Sequence, residues 1–399
     1  MPSLAPYLTS SSLPADGLLV GRVWSPAAGG PCVVRRDAGS LIDITARFPT
    51  MRNLCEAADP AAAARAATGP SLGSIDAIMA NTPPETRDQS KPWLLAPVDL
   101  QALKAAGVTF ATSMLERVIE ERARGNPAAA VEIRATIGTL IGDDLSKLRA
   151  GSPEAMALKK VLMEKGAWSQ YLEVGIGPDA EIFTKSQIMA SVGSGMEAGL
   201  NPVSTWNNPE PEVVVVVAST GRIVGATLGN DVNLRDVEGR SALLLGKAKD
   251  NNASCAVGPM IRLFDGAFSL DDVRHMQLSL KVEGEDGYVL NGGSNMSKIS
   301  RDPADIVGQM INAHHQYPDG AILFLGTLFA PVEDRDAPGK GFTHKLGDVV
   351  TVSSPQLGTL ANRMTSTDKA APWTFGASHL FRNLAKRGLL CGGSGYERP

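Results

Sequence analysis

Two glutamates separated by a proline, Glu210 and Glu212, lead into a run of five valines at 213–217. A β-branched run of this kind predicts a strand. Side chains alternate faces along a strand, so the two carboxylates point the same way. Like charges beside an apolar core repel one another and are costly to bury, so a cation belongs between them. Thr220 and Gly221 read as a two-residue hairpin turn into a second apolar strand at 222–229. Such a loop pairs residues whose numbers sum to 441, which sets Asp231 beside Glu210. Three converging carboxylates with no His or Cys form an all-oxygen donor set that suits Mg²⁺, Mn²⁺ or Ca²⁺ rather than zinc. The competing reading is a solvated strand end with ordinary acidic residues. Lys247 and Lys249 follow Asp231 by 16 and 18 residues. A lysine beside such a cluster can bind an anionic substrate or shuttle a proton, its pKa lowered by nearby positive charge. Otherwise the two belong to a solvated basic loop.

The elements that carry these residues sit in a chain of 399 residues, 43% apolar and 20% charged, which is ordinary for a soluble globular protein. A net charge of −4 without a basic block argues against a nucleic-acid partner. No 18-residue apolar run predicts a membrane span, and the first residues lack the charged and apolar regions of a secretory signal. The four scattered cysteines (Cys32, Cys55, Cys255, Cys391) argue for reduced thiols in a cytoplasm. Residues 17–50 read as short strands, 55–68 as an Ala-rich helix and 69–96 as a connection. Helices are predicted around LQALKAAG and SMLERVIEERARG in 100–124 and again over 126–165. From about 171 the texture turns to short β runs. WTFGASHLFRNLAKRG reads as a terminal helix and CGGSGYERP as a frayed tail. GPSLG at 69–73 and GIGPDA at 175–180 match nucleophile-elbow and dinucleotide patterns only as strings, without the strand–turn–helix context either needs. The five histidines have no metal-site spacing and read as surface or structural residues.

The E-x-E strand, GND-x-x-x-RD, G-K-x-K-D, VGP, the GTLFAP loop and GDVVTVSSPQLGTLANRM resemble the fumarylacetoacetate hydrolase superfamily. The resemblance covers roughly 100–390. It implies an α+β fold, a mixed β-sandwich roll, with a metal in a cleft under a lid. The expected division is a small β-rich N-terminal domain at 1–95, a catalytic domain at 96–390 with a helical insertion at 126–170, and a flexible tail at 391–399. Carrying the family's ligands over gives Glu210, Glu212 and Asp231 with Mg²⁺, or Mn²⁺, as the cofactor. A finer likeness, through GRVW, GP-x-VV, DIT and PT near the N-terminus, is to a long subgroup of 2-keto-3-deoxy-D-pentonate dehydratases. The Glu-Glu-Asp-Lys spacing of that subgroup places its lysine at Lys249.

Where hydrolases of the superfamily carry a lid His–Glu dyad, this chain reads ATSMLERVIE at 111–120, with Arg117 in place of the histidine and Glu120 in place of the glutamate. The resemblance therefore implies a dehydration that needs no activated water. Lys249, Glu120 and Glu116 are the expected acid/base groups. Arg117, Ser113, Lys185, Gly326 and Thr327 are expected to touch the substrate, a small 2-keto sugar acid. The alternatives are a metal-dependent hydrolase of 2,4-diketo acids and a non-catalytic keto-acid binder. A homodimer or a dimer-based tetramer is the expected assembly.

Overall fold

The computed structural model describes residues 2–124, 126, 148–164, 166, 168–329 and 331–390. Sixteen strands among the described residues form two sheets. In chain order they are β1 (Leu19–Ser25), β2 (Gly30–Asp37), β3 (Ser40–Asp43), β4 (Ser71–Ser74), β5 (Trp93–Leu95), β6 (Ala102–Gly107), β7 (Glu181–Ser186) and β8 (Glu197–Leu200). There follow β9 (Pro211–Val217), β10 (Ile223–Asp231), β11 (Cys255–Leu263), β12 (Gln277–Glu283), β13 (Val289–Asn295), β14 (Ala321–Phe324), β15 (Val349–Ser354) and β16 (Gly358–Ser366). The larger sheet runs β4-β3-β2-β1-β11-β10-β9-β14-β6-β7, with β5 beside β1, and the smaller runs β13-β12-β15-β16-β8. β14 pairs with β6, and β16 with β8, in parallel; the remaining pairs are antiparallel. The fold is thus the expected α+β mixed sandwich.

The valine run shows why β9 sits at the centre. Val213, Val215 and Val217 join Leu278, Leu280, Val350 and Val352 in the core between the sheets. Val214 and Val216 join Met51, Leu54, Val20 and Phe324 on the opposite face. A strand buried on both faces reads as a continuous apolar run, as this one does. Glu212 shares the parity of Val214 and Val216, so its carboxylate leaves the face turned away from the smaller sheet.

The predicted register holds, although the turn behind it differs. The loop has three residues, 219–221, closed by Ala218 N donating to Arg222 O at 2.9 Å. A bulge at Val224, between Ile223 and Gly225, absorbs the extra residue. Beyond it Gly229 faces Glu212 and Asn230 faces Pro211. Asp231 N then donates to Glu210 O at 3.0 Å.

Two other expectations fail. LQALKAAG has helix-forming composition, yet 102–107 is β6, hydrogen-bonded between β14 and β7. Leu103 and Ala105 are buried there, so pairing and packing override helix propensity. The presumed connection at 69–96 carries β4, the helix Ile75–Ala80 and β5. The N-terminal strands extend the larger sheet, since β1 pairs with β11 (Leu19 opposite Arg262).

Helices Ala111–Ala123 and Pro153–Glu164 form where helix was expected; 127–147, within the expected insertion, and the tail at 391–399 fall outside the described residues. The terminal helix Ala377–Lys386 returns to the start of the chain. Asn383 Nδ2 donates to Ala28 O at 2.9 Å and Gly29 O at 3.0 Å, and Arg387 to Pro31 O at 2.9 Å. Gly30 permits this approach, because a Cβ there would lie 2.5 Å from the Asn383 side chain. Cys32, Cys55 and Cys255 are buried free thiols. No helix among the described residues is long and apolar enough to cross a membrane.

Candidate metal centre

The register of β9 and β10 brings Glu210, Glu212 and Asp231 together, with exposures of 3%, 2% and 1%. One carboxylate oxygen from each lies within 4.8 Å of the others. Glu212 Oε2 accepts from Gly326 N at 2.6 Å. Gly326 has φ +85°, and a Cβ there would stand 2.0 Å from Thr109 Oγ1, so only glycine lets the loop after β14 present its N–H to the cluster. Glu210 is anchored through its backbone, its N–H donating to Asn230 Oδ1 at 3.0 Å.

Three cations surround the carboxylates. Lys249, last residue of the helix Leu245–Lys249, donates from Nζ to Glu210 Oε2 and, at 3.3 Å, to Asp231 Oδ2. Lys185 Nζ, fully buried, stands 2.9 Å from Asp231 Oδ1. It also donates to the carbonyl of Lys249 and to Val232 O at 3.3 Å, which pins the end of the Lys249 helix. Arg117, on the helix Ala111–Ala123, pairs with Glu210 Oε1 and, at 2.9 Å, with Glu238 Oε2. Glu181 and Phe183 of β7, Glu238, and Ala106, Gly107 and Val108 at the end of β6 complete the wall. The space left among them is about 20 Å³, roughly one water molecule.

The electrostatics follow from this crowding. Burial, then Asp231 and Glu210, pushes the Glu212 carboxyl well above the usual carboxylate range. Burial also opposes ionisation of Glu210, but Lys249 and Arg117 outweigh it and hold that group low. Burial, then Glu238, pushes Glu181 up to about 7. For Lys249 burial works against the charge, but Asp231, Glu210 and Glu238 prevail and raise its pKa. The expectation of a lowered lysine pKa is therefore corrected, because its neighbours are chiefly carboxylates.

These residues fit a divalent ion. Five carboxyl groups (Glu181, Glu210, Glu212, Asp231, Glu238) face three cations, and the upward push on Glu212 and Glu181 shows that these cations do not balance the crowding. Asp231 Oδ1 is buried against Lys185 Nζ at 2.9 Å, and a carboxylate oxygen engaged by one partner keeps a second lone pair for an ion. The donors are all oxygen, as hard cations require.

Of the sequence-derived candidates, the structure brings Lys249, Arg117, Gly326 and Thr327 to the triad's pocket. Thr327 Oγ1 accepts from Phe329 N at 3.1 Å. Lys185, expected to line the pocket, lies behind Asp231, and Arg117 pairs with protein carboxylates. Glu116 is half-buried on the Arg117 helix, outside the pocket lining. Ser113 and Glu120 stand on that helix too, but their side chains lie outside the described residues. Lys247 is exposed. His344 is buried against Asp348, while His275, His314, His315 and His379 are exposed. Sequence reasoning missed Glu181, Phe183 and Glu238. The signal for the first two was available: 181, 183 and 185 share one strand face with Lys185, which the sequence had singled out.

Residues 207–365 match the family described as Fumarylacetoacetate (FAA) hydrolase C-terminal. The chain is 33% identical over 183 residues to the 2-dehydro-3-deoxy-D-arabinonate dehydratase of Saccharolobus solfataricus, covering 45% of this chain and 57% of that one. It is 29% identical over 196 residues to the probable 2-keto-3-deoxyxylonate dehydratase of Haloferax volcanii, covering 49% and 64%. The match thus spans about six tenths of the length of each of these curated relatives. A solved 2-keto-3-deoxy-D-arabinonate dehydratase, complexed with magnesium and 2,5-dioxopentanoate, superposes with a TM-score of 0.59 at 22% identity, over 88% of this chain and 99% of that one. The chain therefore has the fold of that solved dehydratase, and residues 207–365 match the fumarylacetoacetate hydrolase C-terminal family.

Proposed function

We propose that this chain is a divalent-metal-dependent hydro-lyase that converts a 2-keto-3-deoxy-D-pentonate (D-arabinonate or D-xylonate) into 2,5-dioxopentanoate. The observation that carries the reading is one pocket holding an all-carboxylate triad, a lysine on two of its members and a buried glutamate, Glu181, whose carboxyl is pushed up to about 7 by burial and Glu238. The likeness to the two dehydratases supports it, and Mg²⁺, or Mn²⁺, is the ion it needs.

Glu210, Glu212 and Asp231 would hold the ion. When bound, it supplies Lewis acidity to the carboxylate and 2-keto oxygens of the substrate, which acidifies the C3 protons. Glu181 has the protonation range of a general base at neutral pH and would take a C3 proton. Lys249 keeps a proton on Nζ and would give it to the C4 hydroxyl, which leaves as water. A proton moved from C5 to C3 then leaves a C4–C5 enol, and its protonation at C4 with loss of the C5 hydroxyl proton yields the C5 aldehyde. Thr327 and the Gly326 backbone lie where they can orient the substrate's polar end. Glu120 and Glu116 are reserve acid/base groups on the Arg117 helix.

A hydrolase of 2,4-diketo acids needs a base to activate water. Among the described residues no histidine lines the pocket, and Arg117 keeps its proton at any working pH. The test is purified protein with Mg²⁺ and 2-keto-3-deoxy-D-arabinonate, read by coupling to a dehydrogenase specific for 2,5-dioxopentanoate. Turnover abolished by EDTA is the expected result. Pyruvate released from a 2,4-diketo acid, with no aldehyde from the sugar acid, would move the assignment to the hydrolase. Silence on both would leave a binding role. We further place the enzyme in the cytoplasm, on the strength of its buried free thiols, as a homodimer or dimer-based tetramer that light scattering would identify.

A further inference from the structure

We propose that Glu238 is a positioning residue that takes the Arg117 guanidinium off Glu210 when the metal binds. The inference rests on the metal reading above and concerns how that site is gated.

Arg117 spans two carboxylates. One guanidinium nitrogen pairs with Glu210 Oε1, and the other stands 2.9 Å from Glu238 Oε2. Glu210 belongs to the triad; Glu238, at the end of the helix Arg235–Glu238, does not. Both oxygens of Glu210 are engaged, one by Arg117 and the other by Lys249. A divalent ion needs at least one of them. It also repels a guanidinium placed against its ligand, so metal and Arg117 compete for Glu210.

The pocket volume points the same way. With Arg117 and Lys249 in place the free space is about 20 Å³, too little for a five-carbon sugar acid. Something must withdraw before metal and substrate enter together. Arg117 is the candidate, because it sits on a helix at the pocket wall and already has a second carboxylate to hold it. Its planar fork matches carboxylates at two of its edges, so it can release one and keep the other. Glu238 then lowers the cost of metal binding by stabilising the withdrawn arginine. Without Glu238 the guanidinium falls back on Glu210.

The measurement is Mn²⁺ affinity by isothermal titration calorimetry, on the full chain stripped with EDTA, for a double-mutant cycle. Arg117→Gln is expected to tighten Mn²⁺ binding about tenfold, by freeing Glu210 and removing a positive charge. Glu238→Gln is expected to weaken it about tenfold in the wild-type background but less than about threefold when Arg117 is already Gln. Arg117→Lys keeps the charge but cannot span two carboxylates. In that background the Glu238→Gln effect should also shrink. Equal weakening by Glu238→Gln in all three backgrounds would overturn the proposal, since Glu238 would then act only through its charge. Wild-type binding with no coupling sinks this inference alone; no wild-type Mn²⁺ binding sinks the metal reading with it. Unchanged thermal melting of the EDTA-treated variants separates these results from misfolding.

Discussion

Two buried ionic clusters in this molecule contrast sharply. At one, Asp348 accepts from Arg335 at 2.6 and 2.8 Å, from Lys345 N at 2.9 Å and from His344 Nδ1 at 3.1 Å. Burial raises the Asp348 carboxyl, but these donors outweigh it and hold it low. At the other, three carboxylates crowd the end of β9 and β10 and Glu212 is driven up. The first cluster has donors enough for its one buried acid; the second, with Glu181 and Glu238 beside the triad, sets five carboxyl groups around three cations. A balanced buried cluster ties the loop before β15 to its surroundings. An unbalanced one costs stability in the free protein, which it retains only where an ion or reaction supplies the missing charge.

Substitutions on the two sides should therefore diverge. Glu212→Gln removes a proposed ligand, and turnover of the keto acid should fall about 10⁴-fold or more in the coupled assay if the Lewis acid is lost. Asp348→Asn should leave Mn²⁺ affinity within about twofold while destabilising the fold by about 3–5 kcal/mol in urea, because Arg335 loses its buried partner. Glu181→Gln should lower kcat by about 10²- to 10³-fold with little change in Mn²⁺ affinity. In the unsubstituted protein kcat/KM should fall as pH drops through about 7, since Glu181 as the proposed base must be ionised. The smallest effect is on stability. A carboxyl raised from its unfolded value to about 7 binds its proton more tightly when folded, so stability falls as pH rises through that interval. Glu181→Gln should thus raise the melting temperature of the metal-free protein at pH 8 by about 3 °C and hardly change it at pH 4. Equal shifts at both pH values would show that Glu181 carries no abnormal charge.

How far the sequence disclosed this depends on the range of the interaction. The triad was legible because Glu210, Glu212 and Asp231 are fixed by one hairpin whose valines leave no freedom of face or register. Even there the loop length was misread, and the bulge at Val224 restored the register. LQALKAAG was misread because its helix preference is local, while its pairing with β14 joins residues more than 200 positions apart. Glu238 lay seven residues from Asp231 without a visible reason to matter, because its partner Arg117 comes from another part of the chain. Lys185 was noticed, but strand alternation cannot tell the wall of a pocket from the floor beneath it.

The return of the terminal helix to the first hairpin has a consequence for the order of synthesis. The carbonyls of Ala28, Gly29 and Pro31 receive their donors from Asn383 and Arg387, some 355 residues later. A chain still on the ribosome must hold that turn in water until this helix emerges. Completion of the first hairpin is thereby tied to synthesis of a segment some 355 residues downstream, and a message cut short before that helix yields a protein with an unlatched hairpin.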